Sequence, residues 1–339
     1  MNNSLAAGIL VFATVTAPPA TGAATLPTSC EAGHFYAVPE TTSGRKLTLV
    51  VDTGGGGANG LYWITTAAAK RLRLKTTICG TDDQKLTVAA VPNYRVGHGL
   101  PPPLASTCGK VVLVQQAGAM PGSLPIDGQL GGAYLSGRVW TFDYPARRLL
   151  VQDTTWHPAA GAHATPLGFQ LDSRGRKTSG FARIVIRVDG QPLDMLLDTG
   201  ATAHPTAAGE QASDTPTVNG YGVASYITSG TLDHWHKQHP DWRVVANGDD
   251  LLGAKHPMRL IKVPKVEIAG WSVGPVWFTE RPDANFHKFM AQWMDKAPEG
   301  AIGGNVFRHF VMTIDYPHAT AYFRCVRGCK DAATPPPAP

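Results

Sequence analysis

The sequence predicts a β-rich protein made of two related halves, and three observations carry that prediction. Its 37 glycines and 27 prolines are scattered without a period and only 16% of residues are charged, a composition of many short strands joined by tight turns. Two apolar runs with strand character stop at the same turn-forming tripeptide, in Lys46-Leu-Thr-Leu-Val-Val-Asp-Thr-Gly54 and in Pro192-Leu-Asp-Met-Leu-Leu-Asp-Thr-Gly200. The chain also resembles itself. Asp127 to Val151 (DGQLGGAYLSGRVWTFDYPARRLLV) aligns without a gap with Glu299 to Phe323 (EGAIGGNVFRHFVMTIDYPHATAYF), and roughly a third of the positions are identical, including Gly-Gly and Thr-x-Asp-Tyr-Pro. The order strand, Asp-Thr-Gly, apolar-Gly-Gly therefore occurs twice.

Residues 1–24 hold an apolar stretch from Leu5 to Ala17, then Pro18-Pro19 and the small residues Thr21-Gly22-Ala23-Ala24, the layout of a signal peptide and its cleavage site. No Lys or Arg precedes Arg45, so the positive end of that signal rests on the amino terminus alone. The expectation is a periplasmic or secreted protein. No later segment reaches about 18 uninterrupted apolar residues, so no membrane association is expected after signal cleavage.

The first lobe, residues 30–152, reads as strands near His34 to Glu40 and Leu47 to Val51, a helical turn at Thr66 to Arg73, strands near Leu86 to Val91 and Val111 to Gln115, and the first copy of the repeated unit. Residues 153–177 are polar, glycine-containing and unpatterned, and read as the connection between lobes. The second lobe, residues 178–326, opens at Ala182 to Val188, where Ile184, Ile186 and Val188 alternate as in a half-buried strand, followed by the turn Asp189-Gly190. Residues 330–339 include Pro335-Pro336-Pro337, which suits neither sheet nor helix, and read as a disordered tail.

Charge points to no partner. The net charge of +5 comes from dispersed Lys and Arg, with no basic run interleaved with aromatics, so a nucleic-acid partner is not expected. The five cysteines suit an oxidising compartment; Cys79 with Cys108 and Cys325 with Cys329 form one pairing, although spacing alone leaves the connectivity open. Cys30 is then left over. The stretch Leu26-Pro27-Thr28-Ser29-Cys30 fits a bacterial lipid-attachment box poorly, because proline stands where the apolar residue belongs.

Together, Val51-Asp52-Thr53-Gly54 and Leu197-Asp198-Thr199-Gly200, each followed by an apolar-Gly element at Leu130-Gly131 and Ile302-Gly303, resemble the pepsin and retropepsin superfamily of aspartic peptidases in its single-chain, duplicated, bacterial-type form. The resemblance spans roughly Tyr36 to Phe323 and implies a mostly all-β, bilobal acid-protease fold: two β-barrel-like lobes related by a pseudo-twofold axis, with a few short helices. It implies that Asp52 and Asp198 meet across that axis, share one proton and activate a water against a peptide bond. Thr53 and Thr199 would bond the opposite loop, Gly54 and Gly200 would allow the tight turns, and Gly131 and Gly303 would let a crossing strand approach. The implied substrate is polypeptide. No metal or other cofactor is required, and a monomer suffices because both halves lie in one chain.

The chain departs from that pattern after the tripeptides. Pepsin-like chains carry Ser or Thr there, whose hydroxyl bonds the outer carboxylate oxygen, whereas this sequence has Gly55 and Ala201. Ala is the usual retropepsin residue, so Gly55, heading Gly55-Gly56-Gly57, is the departure that leaves a catalytically inactive peptide-binding or inhibitory module as the alternative. Tyr94 lies where a flap tyrosine of such enzymes falls, or is an ordinary loop tyrosine. Asn219-Gly220-Tyr221-Gly222 reads as a second-lobe hairpin or a plain turn, and Trp63 as core. His234, His236 and His239 read as a solvated helix rather than a metal site, since no cysteine or carboxylate set completes one.

Overall fold

The computed structural model describes residues 22–56, 60–81, 84–104, 106–116, 122–213 and 215–332. Residues 1–21 of the expected signal peptide and the tail from residue 333 lie outside them.

The fold is all-β with a few short helices. Its organising device appears in both halves. Leu49–Asp52 runs parallel to Gly128–Gly131, which is antiparallel to Trp63–Thr65. Likewise Gln191–Leu197 runs parallel to Gly300–Ile302, which is antiparallel to Tyr226–Thr228. In each half the apolar-Gly strand is thus sandwiched between the strand that leads to the aspartate and a later strand of the same half. A parallel neighbour reached over so long a connection places residues distant in sequence side by side, so Asp52 is the register partner of Gly131.

Around these cores the halves form an eight-stranded and a ten-stranded sheet. Local chemistry sets the pieces. In Arg183–Val188 the residues Ile184, Ile186 and Val188 are buried while Val185 and Arg187 are exposed, as a two-residue period demands. The hairpin that follows turns on Asp189 (φ 49°) and Gly190 (φ 75°), both left-handed, which matches the twist of the paired strands. Thr65 caps the helix Thr66–Arg71 by accepting the Ala68 amide, and Thr228 caps Ser229–Gln238 in the same way through the Thr231 amide.

A third, six-stranded sheet joins the halves. Its centre is Val139–Asp143 against Phe310–Asp315, antiparallel, with Thr141 opposite Thr313. These two threonines are equivalent positions of the internal repeat, 172 residues apart, and their hydroxyls are hydrogen-bonded at 2.7 Å. A local twofold axis therefore passes between them, and the duplicated unit pairs with its own copy as a symmetric dimer would. Trp140, Phe142, Met312 and Ile314 of these strands belong to one apolar core that continues into both halves.

Three segments differ from the sequence expectation. Within 153–177, Ala162–Pro166 is a strand on the outer edge of the shared sheet, paired with Thr320–Cys325. It is a half-exposed edge strand ending in proline, and so carries no alternating signal. Ala24–Thr25, at the expected cleavage site, pairs with Leu150–Val151 on the other edge. Cys329–Asp331 pairs with Trp271–Val273, so the first residues of the expected disordered tail are sheet. Disulfides join Cys79 to Cys108 and Cys325 to Cys329, leaving Cys30 free. Among the described residues no helix is long and apolar enough to cross a membrane.

Candidate active site

The two Asp-Thr-Gly loops meet at the twofold axis, and their threonines bind them reciprocally. Thr53 Oγ1 donates to the Leu197 carbonyl (2.7 Å) and accepts from the Thr199 amide (2.9 Å). Thr199 Oγ1 donates to the Val51 carbonyl (2.9 Å) and accepts from the Thr53 amide (3.1 Å). Both threonines are buried, so four backbone groups that water cannot reach are satisfied by side chains of the opposite half. A hydroxyl suits this place because its single oxygen both donates and accepts.

The glycines that follow are fixed by the opposite carboxylate. A Cβ on Gly54 would stand 2.5 Å from Cγ of Asp198, and one on Gly200 would stand 2.2 Å from Cγ of Asp52. Each carboxylate therefore lies against the other loop, and no larger residue fits. Gly131 and Gly303 permit the crossing strand's approach, since a Cβ there would fall 2.1 Å from the Gly56 carbonyl oxygen and 1.9 Å from that of Ala224.

Asp52 and Asp198 thus face each other across the axis, close enough for the charge of one to bear on the other. Two carboxylates held so close and away from water disfavour double ionisation, which favours one proton between them. Burial raises the pKa of both, and the charge of Asp52 pushes Asp198 further, well above the ordinary carboxylate range. Oδ1 of Asp52 is buried without a well-aligned donor, whereas Oδ2 accepts from Gln129 Nε2 at 2.5 Å. Asp198 Oδ1 accepts from the Gly200 amide at 2.9 Å.

Beside the pair lies a cavity of about 40 Å³, lined by His34, Tyr36, Val50, Asp52, Ile126 and Thr202 among others. That is room for a water or two rather than a side chain. His34 reaches Thr202 Oγ1 through Nε2 (3.0 Å), its Nδ1 has no partner, and burial pulls its pKa down to about 4, so it is neutral. Below the loops, the tyrosines of the two Thr-x-Asp-Tyr-Pro copies, Tyr144 and Tyr316, are buried with unpaired hydroxyls. Burial raises both, with further upward pressure from Asp198 on Tyr144 and from Asp52 on Tyr316.

The second loop is braced from behind. Arg281, buried against Asp249 at 3.0 Å, lies 4.3 Å over the Tyr226 ring. The Tyr226 hydroxyl in turn donates to the Thr202 carbonyl (2.5 Å) and accepts from the Thr202 amide (2.6 Å).

The structure thus brings together Asp52, Asp198, Thr53, Thr199, Gly54, Gly200, Gly131 and Gly303. Tyr94 stands apart: its hydroxyl is bonded to that of Tyr62 at 2.8 Å, and it is not among the residues lining the cavity beside Asp52. Asn219 (φ 54°) and Gly220 (φ 81°) form a tight left-handed turn between Val218 and Tyr221, and Asn219 Nδ2 donates to the Ser123 carbonyl of the first half (2.9 Å). His234 and His236 are exposed on the helix Ser229–Gln238, while His239, just beyond it, bonds Asp189 at 3.0 Å. Among the described residues no three His, Cys, Asp or Glu are grouped as metal ligands.

Sequence reasoning passed over Gln129, His34, Tyr226 and Arg281. Gln129 was detectable as a polar residue inside an apolar-Gly strand, all four of whose residues are buried.

No family model matches the chain, and no curated protein matches it. Among solved structures, the crystal structure of aspartic proteinase from Irpex lacteus is similar over 90% of this chain and 98% of that one, at 10% sequence identity and a TM-score of 0.46.

Proposed function

We propose that the chain is an aspartic-type endopeptidase in which Asp52 and Asp198 activate one water against a peptide bond of an extended polypeptide. The observation that carries this reading is the pair of buried carboxylates that face each other across the axis, each delivered by one copy of a duplicated loop. With one proton between them, the ionised member takes a proton from the water as its oxygen attacks the scissile carbonyl carbon. The protonated member gives its proton to the carbonyl oxygen, forming a neutral tetrahedral diol. As that diol collapses, one hydroxyl proton returns to the ionised carboxylate, and the carboxyl that took the water's proton gives it to the leaving nitrogen. The dyad returns to its singly protonated state, and two chain ends leave.

The alternative of an inactive binding module rested on the missing hydroxyl at Gly55 and on a poorly marked flap. Gln129 meets the first of these objections, because its amide donates to the oxygen of Asp52 that lies beside position 55. Export to an oxidising compartment is part of the proposal, and two disulfides in the fold support it.

The test is hydrolysis of an unfolded protein or a peptide library by the purified chain and by Asp52→Asn and Asp198→Asn. Each substitution fixes a proton or removes one, and is expected to lower turnover by about a thousandfold or more. Retention of wild-type turnover in either variant would reject the dyad. Saturable peptide binding without turnover by the wild-type chain would establish the binding module instead.

A further inference from the structure

Gln129 occupies a place that the apolar pattern of its strand leaves unexplained. It lies in Gly128–Gly131, where every residue is buried, and a buried amide must find partners for both ends. Trp63, its register partner on the adjoining antiparallel strand, donates Nε1–H to Oε1 at 2.8 Å. An indole nitrogen is only a donor, so this bond fixes which end of the amide is oxygen. The other end, the NH2 group, is thereby turned toward Asp52 and donates to Oδ2 at 2.5 Å.

The same amide accounts for Gly55. A Cβ at position 55 would lie 2.2 Å from Gln129 Nε2 and 2.6 Å from Asp52 Oδ2, so the amide fills the space that a serine or threonine side chain needs. Either the hydroxyl or the glutamine can serve that oxygen, but not both. The second half has neither. The repeat aligns Gln129 with Ala301, and the residue after the second Asp-Thr-Gly is Ala201. Of the two aspartates, only Asp52 receives a neutral side-chain donor, while Asp198 relies on backbone amides.

We infer that Gln129 is a positioning residue of the dyad, held by Trp63 so that its amide keeps Asp52 as the ionised carboxylate and leaves the shared proton on Asp198, in place of a hydroxyl at position 55. This rests on the dyad reading above and deepens it. The titratable groups facing Asp52 are Asp198 from the opposite loop, Tyr316 from the shared sheet, and His34 and Tyr36 across the small cavity. The tyrosines are neutral throughout the acidic range and His34 is neutral above about pH 4, so Gln129 and Asp198, joined below about pH 4 by the His34 imidazolium, are the partners that bear on the first ionisation.

The experiment compares the wild-type chain with Gln129→Ala, Gly55→Ser and the double variant, with Gln129→Met as the volume-conserving substitute if the alanine variant does not fold. Two readouts are taken against pH: the 13C shifts of the aspartate side-chain carboxyls, and kcat on a peptide found to be cleaved. Loss of the amide donor is expected to raise the first ionisation of the dyad by about one pH unit and move the acid limb of kcat with it. Gly55→Ser alone is expected to displace the amide and perturb both readouts, whereas the double variant returns both toward wild type, because the hydroxyl then has room to donate. An unmoved first ionisation in a folded Gln129 variant overturns the inference, as does a double variant no nearer wild type than Gln129→Ala. If carboxyl titrations shift as expected while no variant or wild type cleaves peptide, the peptidase reading fails and the role of Gln129 stands. If peptide is cleaved and the titrations do not move, the reverse holds.

Discussion

At the scale of single residues, the dyad sets function against stability. A carboxyl whose folded pKa is raised binds its proton more tightly in the fold than in the unfolded chain. Such a group costs nothing below the unfolded value of about 3.8, and it lowers stability progressively as pH rises through the folded value. Asp198, raised well above 3.8 by burial and by the charge of Asp52, is the group for which this matters most. Asp198→Asn keeps an acceptor for the Gly200 amide and offers an NH2 to Asp52 where the shared proton was. The Asp198→Asn variant is therefore expected to be more stable than wild type at pH 7 and equal to it near pH 3, measured as urea midpoints at the two pH values. A midpoint at pH 7 no higher than wild type would show that the carboxyl is not strained in the fold.

At the scale of elements, the two loops are held differently. The first is backed by the strand pair that carries Trp63 and Gln129, and the second by the buried pair Arg281–Asp249, whose side chains are 4% and 1% exposed. Removing one partner of such a pair leaves an uncompensated charge away from water, so Arg281→Met is expected to cost about 3–5 kcal/mol in chemical denaturation. Replacing both partners, in Arg281→Met with Asp249→Leu, is expected to recover part of that loss, although the His204 amide then loses its bond to Asp249. A single variant within a few tenths of a kcal/mol of wild type would mean that the charge finds water. The elements themselves were largely legible. Apolar alternation located Arg183–Val188, left-handed residues marked its hairpin, and the repeated tripeptides marked both loop-bearing strands. Ala162–Pro166 was not legible, because an edge strand with one neighbour and mixed exposure has no pattern to read.

At the scale of the whole molecule, the halves are joined by sheet and not merely by a connecting chain. Val139–Asp143 pairs with Phe310–Asp315, Ala162–Pro166 pairs with Thr320–Cys325, and the threonines of the two loops bond across the axis. The covalent connection should then be dispensable once the fold has formed. Arg174 lies in an exposed turn, and a chain split after it and produced as two co-expressed fragments is expected to elute as one species and to retain the activity of the intact protein. Fragments that separate without denaturant would show that the shared sheet does not hold the halves.

By itself the sequence determined a duplicated, strand-rich chain and singled out two aspartates in equivalent places, because repeats, turn tripeptides and apolar periods are local features of the chain. Only the tertiary structure decided how the loops interlock through Thr53 and Thr199, that Tyr94 is tied to Tyr62 instead, and that Gly55 belongs with a glutamine far along the chain. The physical reason is the same in each case. Hydrogen bonds and excluded volume between residues distant in sequence depend on which strands become neighbours, and a parallel pairing such as Leu49–Asp52 with Gly128–Gly131 leaves no trace in the spacing of residues that would reveal its register.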